Sequence, residues 1–207
     1  MDGPSREEKV EPTADEELER YIADVMVGPL EHVPILITEY DARWPGRFRA
    51  EAERISAALD GRARRIEHIG STSVPGLAAK PVVDILLVID DPGDEASYLP
   101  ALEAAGYMLR VREPAFWEHR MLRTPGRDVH VHVFPPDTPE IDRYLLFRDR
   151  LREEAGEREL YEATKRRLAA RDWPTMQHYA EAKTAVVEAI IARARVACDD
   201  DSAPSET

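Results

Sequence analysis

Apolar residues recur at helical spacing across 15–27, where Leu18, Tyr21, Ile22, Val25 and Met26 share one face, until Gly28-Pro29 stops the run. Residues 33–40 read as a short extended segment. Beyond it Trp44, Phe48, Ala52, Ile55 and Leu59 form a single stripe along a second helix, with Pro45 in its first turn, where a missing N–H costs nothing. Strands are expected at 65–70 and 81–89. The second is apolar on both faces apart from Asp84, the pattern of a central, buried strand.

A helix over 95–105 closes at Gly106. Strands follow at 107–111 and 116–124 around a Glu113-Pro114 turn, and Pro125-Gly126 leads into a strand at 128–134 that Pro135-Pro136 ends. The remainder reads as three helices, at 140–153, 157–170 and 175–197, with Trp173-Pro174 dividing the last two. Strands flanked by helices in this order predict an α+β domain: a mixed sheet packed with helices, followed by a C-terminal helical segment.

Composition narrows the partners. The chain has 207 residues, 43% of them hydrophobic, enough for one core, and its formal charge is −13. That charge is concentrated at the ends: residues 1–20 hold eight acids against three bases, and Asp199, Asp200, Asp201 and Glu206 face no base. The expected organisation is an acidic, partly disordered extension with a helix (1–30), a folded domain (31–197) and a disordered acidic tail (198–207). Cys198 is the only cysteine, which excludes a disulfide framework and fits a reducing cytoplasm. The first residues lack the basic and apolar regions of a signal peptide, and no apolar run approaches a membrane span. Aromatic residues follow helical stripes without interleaved basic residues, so neither nucleic acid nor membrane is an expected partner.

The chemistry concentrates between the first two strands. Glu67-His68-Ile69-Gly70-Ser71-Thr72-Ser73 runs through Pro75-Gly76-Leu77-Ala78-Ala79-Lys80-Pro81 into Val82-Val83-Asp84-Ile85. A small-residue turn presents backbone donors to phosphate, and the following carboxylate can hold a divalent ion. Gly70 and Gly76 lie six apart with no Gly-Lys-Ser/Thr after them, which excludes a triphosphate-wrapping loop, and the three-glycine dinucleotide fingerprint is also absent.

Ile69-Gly70-Ser71 followed by Asp84-Ile85 resembles the nucleotidyltransferase superfamily signature, in which the Ser and adjacent backbone hold phosphates and the Asp binds a divalent ion. The longer match, extending through Tyr40 to Pro45, His130 to Val133, Phe147 to Arg152, Tyr161 to Lys165 and Tyr179 to Lys183, resembles the GrpB family. The resemblance implies a nucleotidyltransferase fold, and similar domains occur fused behind dephospho-coenzyme A kinase, with a folding-support role suggested there. One departure from the superfamily stands out: Leu86 occupies the position, on the same strand face as Asp84, of a second carboxylate.

His130 and His132 share a face of a later strand and offer a substitute donor set. Asp84, His130 and His132 together suit Zn, Mn or Fe better than Mg; the alternative is that the two histidines line an outer polar face. His68 reads either as a proton carrier beside Asp84 or as a core histidine. Gly70, Ser71 and Thr72 are phosphate-site candidates that can equally cap the next turn. Lys80 would neutralise phosphate or stand solvated. Arg120 and Arg148 are further nucleotide-contact candidates, with an Arg148–Asp149 ion pair as the structural alternative. The Tyr161/Lys165 and Tyr179/Lys183 pairs sit four apart on helix faces and read first as packing.

Two function classes remain open. One is a divalent-metal-dependent (Mg, Mn or Zn) nucleotidyl- or phosphoryl-transferring enzyme acting on a nucleotide or phosphorylated small molecule. The other is a non-catalytic module that binds a nucleotide or anion, or supports folding. Leu86 favours the second; His130 and His132 favour the first.

Overall fold

The computed structural model describes residues 13–31 and 34–201, the last four by backbone alone. Of the tail expected to be disordered over 198–207, residues 198–201 are instead helical, continuing the last helix; residues 202–207 and the first twelve lie outside that set. Five strands, β1 (Arg65–Ile69), β2 (Val83–Val88), β3 (Met108–Glu113), β4 (His119–Arg123) and β5 (Val129–Phe134), form one sheet in the order β1-β2-β5-β4-β3. Only β2 and β5 run parallel; the other three pairings are antiparallel. The expected mixed sheet with packed helices is the observed architecture.

Helices α1 (Ala14–Val25), α2 (Trp44–Leu59), α3 (Glu95–Ala104), α4 (Pro139–Glu153), α5 (Ala155–Ala169), α6 (Met176–Glu181) and α7 (Thr184–Asp201) surround it. One sheet face is largely apolar. Val83, Ile85 and Leu87 of β2 join Val129, Val131 and Val133 of β5 beneath Ile55 and Leu59 of α2 and Tyr98 and Leu102 of α3. Each large aliphatic side chain so buried contributes about 1.5–3 kcal/mol, which fixes the register of the central strands.

The opposite face is divided. Toward the ends of β2 and β5, Leu86, Val88 and Phe134 meet Ile141 of α4. Toward their beginnings, Asp84, His130 and His132 share the same face, because Asp84 pairs with His130 and Leu86 with His132. Helices α4, α5 and α7 pack on one another and roof this polar half, with Leu151, Tyr161 and Ile190 meeting Val74 and Leu77 from the β1–β2 connection.

Two boundaries differ from the expectation. The strand anticipated from residue 116 begins at His119, because Trp117 and Glu118 adopt positive φ of 53° and 51° and cannot join a ladder. The helix anticipated over 175–197 is two helices. The chain tightens where the Lys183 amide bonds the Ala180 carbonyl, and α7 restarts with the Val187 amide on the Lys183 carbonyl. At the other end, Thr13 and Glu16 form a capping box for α1, which lies against the edge strand β3 through a Met26–Val111 bridge.

Candidate functional site

The turn after β1 is shaped by Gly70. Its φ of 67° and ψ of −175° fall where a side chain is strained, and an added Cβ would lie 3.0 Å from the Asp84 Cβ. The chain then enters a short 3₁₀ turn, Ser71–Ser73, held by Ser73 Oγ donating to the Gly70 carbonyl at 2.6 Å. Ser71, Thr72 and Asp84 thereby line one cavity of about 390 Å³ between the sheet and the helical roof.

Asp84, His130 and His132 each offer a ligand atom within 4.8 Å of the others. His130 Nδ1 stands 3.3 Å from Asp84 Oδ1. Burial alone would raise the Asp84 carboxyl, but the His130 hydrogen bond, assisted by the charge of Lys80, holds it below its ordinary range. Burial pushes His132 down to about 3, with His119 and His130 adding to the effect, so its imidazole is neutral and able to ligate near pH 7.

Behind His132 stands a relay. His132 Nδ1 lies 3.2 Å from His119 Nε2, and His119 Nδ1 lies 2.6 Å from Glu113 Oε2. An ionised Glu113 only accepts, so His119 carries its proton on Nδ1; with neutral rings, His119 Nε2 then accepts from His132 Nδ1–H. The lone pair of His132 Nε2 is left free, the arrangement that orients a metal-ligating histidine.

Across the cavity stand three lysines, and among the described residues none is ion-paired with a carboxylate. Lys165 donates to Ser71 Oγ at 3.0 Å and to the Ala78 carbonyl. Lys183 lies 4.8 Å from the centre of the Tyr179 ring, and Lys165 the same distance from that of Tyr161. Lys80 approaches Met176 Sδ. Burial lowers Lys165 to about 7 and Lys80 to about 8, and moves Lys183 in the same direction. One carboxylate among three lysines and two imidazoles makes an electropositive pocket suited to phosphate. The donor set of one carboxylate and two imidazoles fits a borderline divalent ion.

Gly70, Ser71, Thr72, Lys80, Asp84, His130 and His132 are therefore brought together as the sequence suggested. Three other candidates are not. His68 points to the apolar face, stacked on Phe48 at 4.7 Å between centroids, and reaches the cavity only through Thr72 Oγ1 at 3.1 Å. Burial lowers it to about 4. Arg120 alternates onto the α3 side of β4, where Glu95 holds it at 2.6 Å. Arg148 binds Glu67 at 2.8 Å and Asp149 at 2.7 Å, locking α4 to β1.

The sequence points to Lys165 and Lys183 first as packing and gives no indication of Glu113. The Tyr-x-x-x-Lys spacing was the available signal for the lysines. Glu113 has no local signal, because a β3–β4 pairing carries it to His119. Leu86, on the Asp84 face of β2, is fully buried among Ile69, Val88 and Phe134 and belongs to the apolar core.

Fold and site define an α+β protein with a mixed five-stranded sheet and a polar cavity at the start of its parallel strand pair. The chain belongs to the GrpB family: residues 34–193 match the sequence profile described as GrpB protein. It is 49% identical over 185 residues to UPF0157 protein BH1888 of Halalkalibacterium halodurans, covering 88% of this chain and 93% of that one. The crystal structure of conserved protein GrpB from Enterococcus faecalis superposes with a TM-score of 0.67 at 33% identity, over 77% of this chain and 96% of that one. A dephospho-CoA kinase of Mycobacterium tuberculosis is 30% identical over 179 residues, 74% of this chain but 42% of the kinase.

Proposed function

We propose that the protein is a metal-dependent nucleotidyl- or phosphoryl-transferring enzyme acting on a nucleotide or another phosphorylated small molecule. The observation that carries this reading is the Asp84–His130–His132 cluster facing Lys80, Lys165 and Lys183 across one cavity. A divalent ion held by those three ligands would neutralise charge developing on the transferred group. Ser71 and the backbone of the Gly70–Thr72 turn orient the phosphates, while Lys165 and Lys183 take up charge on the leaving side. The roof of α4, α5 and α7 limits water around the reacting group.

Leu86 supports a second reading, a non-catalytic nucleotide- or anion-binding or folding-support module, because only one carboxylate faces the cavity from β2. The partial match to dephospho-CoA kinase is consistent with it. Thermal-shift titration with nucleotides and coenzyme A precursors, with Mg, Mn or Zn, in wild type and Asp84→Asn tests both. Metal-dependent stabilisation lost in Asp84→Asn, together with new phosphorus resonances in ³¹P NMR, supports the enzyme. Stabilisation without turnover supports the module, and equal shifts in both proteins remove Asp84 as a ligand.

A further inference from the structure

A second cavity of about 380 Å³ adjoins the first, the two sharing Lys80, Val82, His130, Met176 and Gln177. Three arginines from the β3–β4–β5 end of the sheet reach it: Arg110 from β3, Arg123 from β4 and Arg127 from the following turn. Two carboxylates also line it. Asp128 is already engaged by Arg47 and Thr124, each at 2.7 Å. Among the described residues Glu31 is the one carboxylate on the arginine cluster, accepting from Arg123 at 2.9 and 3.0 Å and lying 3.0 Å from Arg127.

The cluster is under-satisfied even so. Arg110 contacts no carboxylate among the described residues; its terminal nitrogens donate to the backbone carbonyls of Val27, at 2.5 Å, and Pro29, at 2.7 Å. The Nε atoms of Arg110 and Arg123 are buried with no hydrogen-bond partner among the described residues. Two unmatched guanidinium donors, with Arg123 and Arg127 sharing one internal carboxylate, are the chemistry that suits a more highly charged, multi-oxygen anion. The occupant comes from the segment that follows α1, and residue 31 precedes the family match at 34–193, which contains all three arginines.

We propose that Arg110, Arg123 and Arg127 form an anion subsite for a phosphate-bearing co-substrate, and that Glu31 fills it as an internal stand-in the ligand must displace. The role as an acceptor subsite rests on the transfer reading above; the anion binding itself does not. Adjacency through Lys80 and His130 places a phosphoryl acceptor next to the Asp84 cluster. The Glu31 carboxylate keeps the guanidinium cluster from being left uncompensated in the ligand-free protein.

Isothermal titration of the full chain with inorganic phosphate tests it. Glu31→Gln and Glu31→Ala are both expected to bind phosphate about tenfold more tightly than wild type, the competition of two partly exposed ion pairs being relieved. Adding Arg127→Gln must abolish that gain, and adding Lys165→Met or Asp84→Asn must preserve it. Absence of tightening in both Glu31 variants overturns the proposal. So does a gain that survives Arg127→Gln or disappears with Lys165→Met, since phosphate would then sit in the first cavity. Failure of the transfer reading alone would appear differently: no turnover in wild type, with the Glu31 gain intact.

Discussion

Gly70 and Asp84 are in direct contact across the start of the sheet, where Ile69 pairs with Asp84 and the chain turns away at Gly70. A Cβ at residue 70 would stand 3.0 Å from the Asp84 Cβ and 3.1 Å from its Cγ. The glycine of the turn and the acid on the next strand are thus one structural unit, since the carboxylate occupies the space that any other residue at 70 would claim.

Gly70→Ala is accordingly expected to destabilise the fold by about 1–3 kcal/mol, from backbone strain together with displacement of Asp84. Urea unfolding reads this directly, and an unchanged midpoint would refute the contact as described.

Glu113→Gln replaces the acceptor-only carboxylate that fixes the His119 tautomer with an uncharged amide that can donate as well as accept. Metal affinity, measured by titrating Mn or Zn into the protein, should fall roughly 10–100-fold, as for other outer partners of metal-bound histidines. Stability should change far less than affinity, because Gln preserves the shape of the side chain.

Anion binding should weaken as pH rises. Lys165 at about 7 and Lys80 at about 8 carry charge below those values and lose it above them. Nucleotide affinity measured between pH 6 and 9 is expected to decline across that window, and Lys165→Met should flatten the profile. A flat wild-type profile would mean these lysines do not face the anion.

Acid should destabilise the metal-free protein through His68. Its folded value of about 4 lies below the ordinary 6.5. The unfolded chain therefore binds a proton first, and stability present above pH 6.5 is lost as pH falls toward 4. The loss from this residue is on the order of 3 kcal/mol. In His68→Phe, which keeps the stack on Phe48, melting temperature should depend less steeply on pH in that range.

Arg148→Met should lower stability by about 3 kcal/mol, since it leaves Glu67 without its partner from α4. It should leave phosphate and metal affinity unchanged, because the guanidinium does not line the cavity. Weakened ligand binding in a fully folded Arg148→Met protein would reinstate it as a contact residue.

Much of the site was legible because its key members are local. Gly70, Ser71, Thr72 and Asp84 lie on one turn and the strand that follows, and the two-residue spacing of His130 and His132 puts them on one face whatever the partner strand. Arg120 reads from the sequence as a nucleotide contact, and Arg148 as either that or a partner of Asp149, because a sequence does not show which distant carboxylate stands opposite a cation. Glu95 and Glu67 reach these arginines across 25 and 81 residues of chain. Among the described residues, no helix is long and apolar enough to cross a membrane.

The sequence by itself determined the strands and helices, because periodicity and turn residues act over a few positions, and it marked the Gly70–Asp84 motif. Only the tertiary structure decided which strand lies beside β2, and with it the Asp84–His130 and Leu86–His132 registers that turn three separate residues into one donor set. The break between α6 and α7, the convergence of the three lysines and the seating of Glu31 among the arginines likewise depend on packing between distant segments. Local propensity contains no term for such contacts, so these features exist only once the core has brought the segments together.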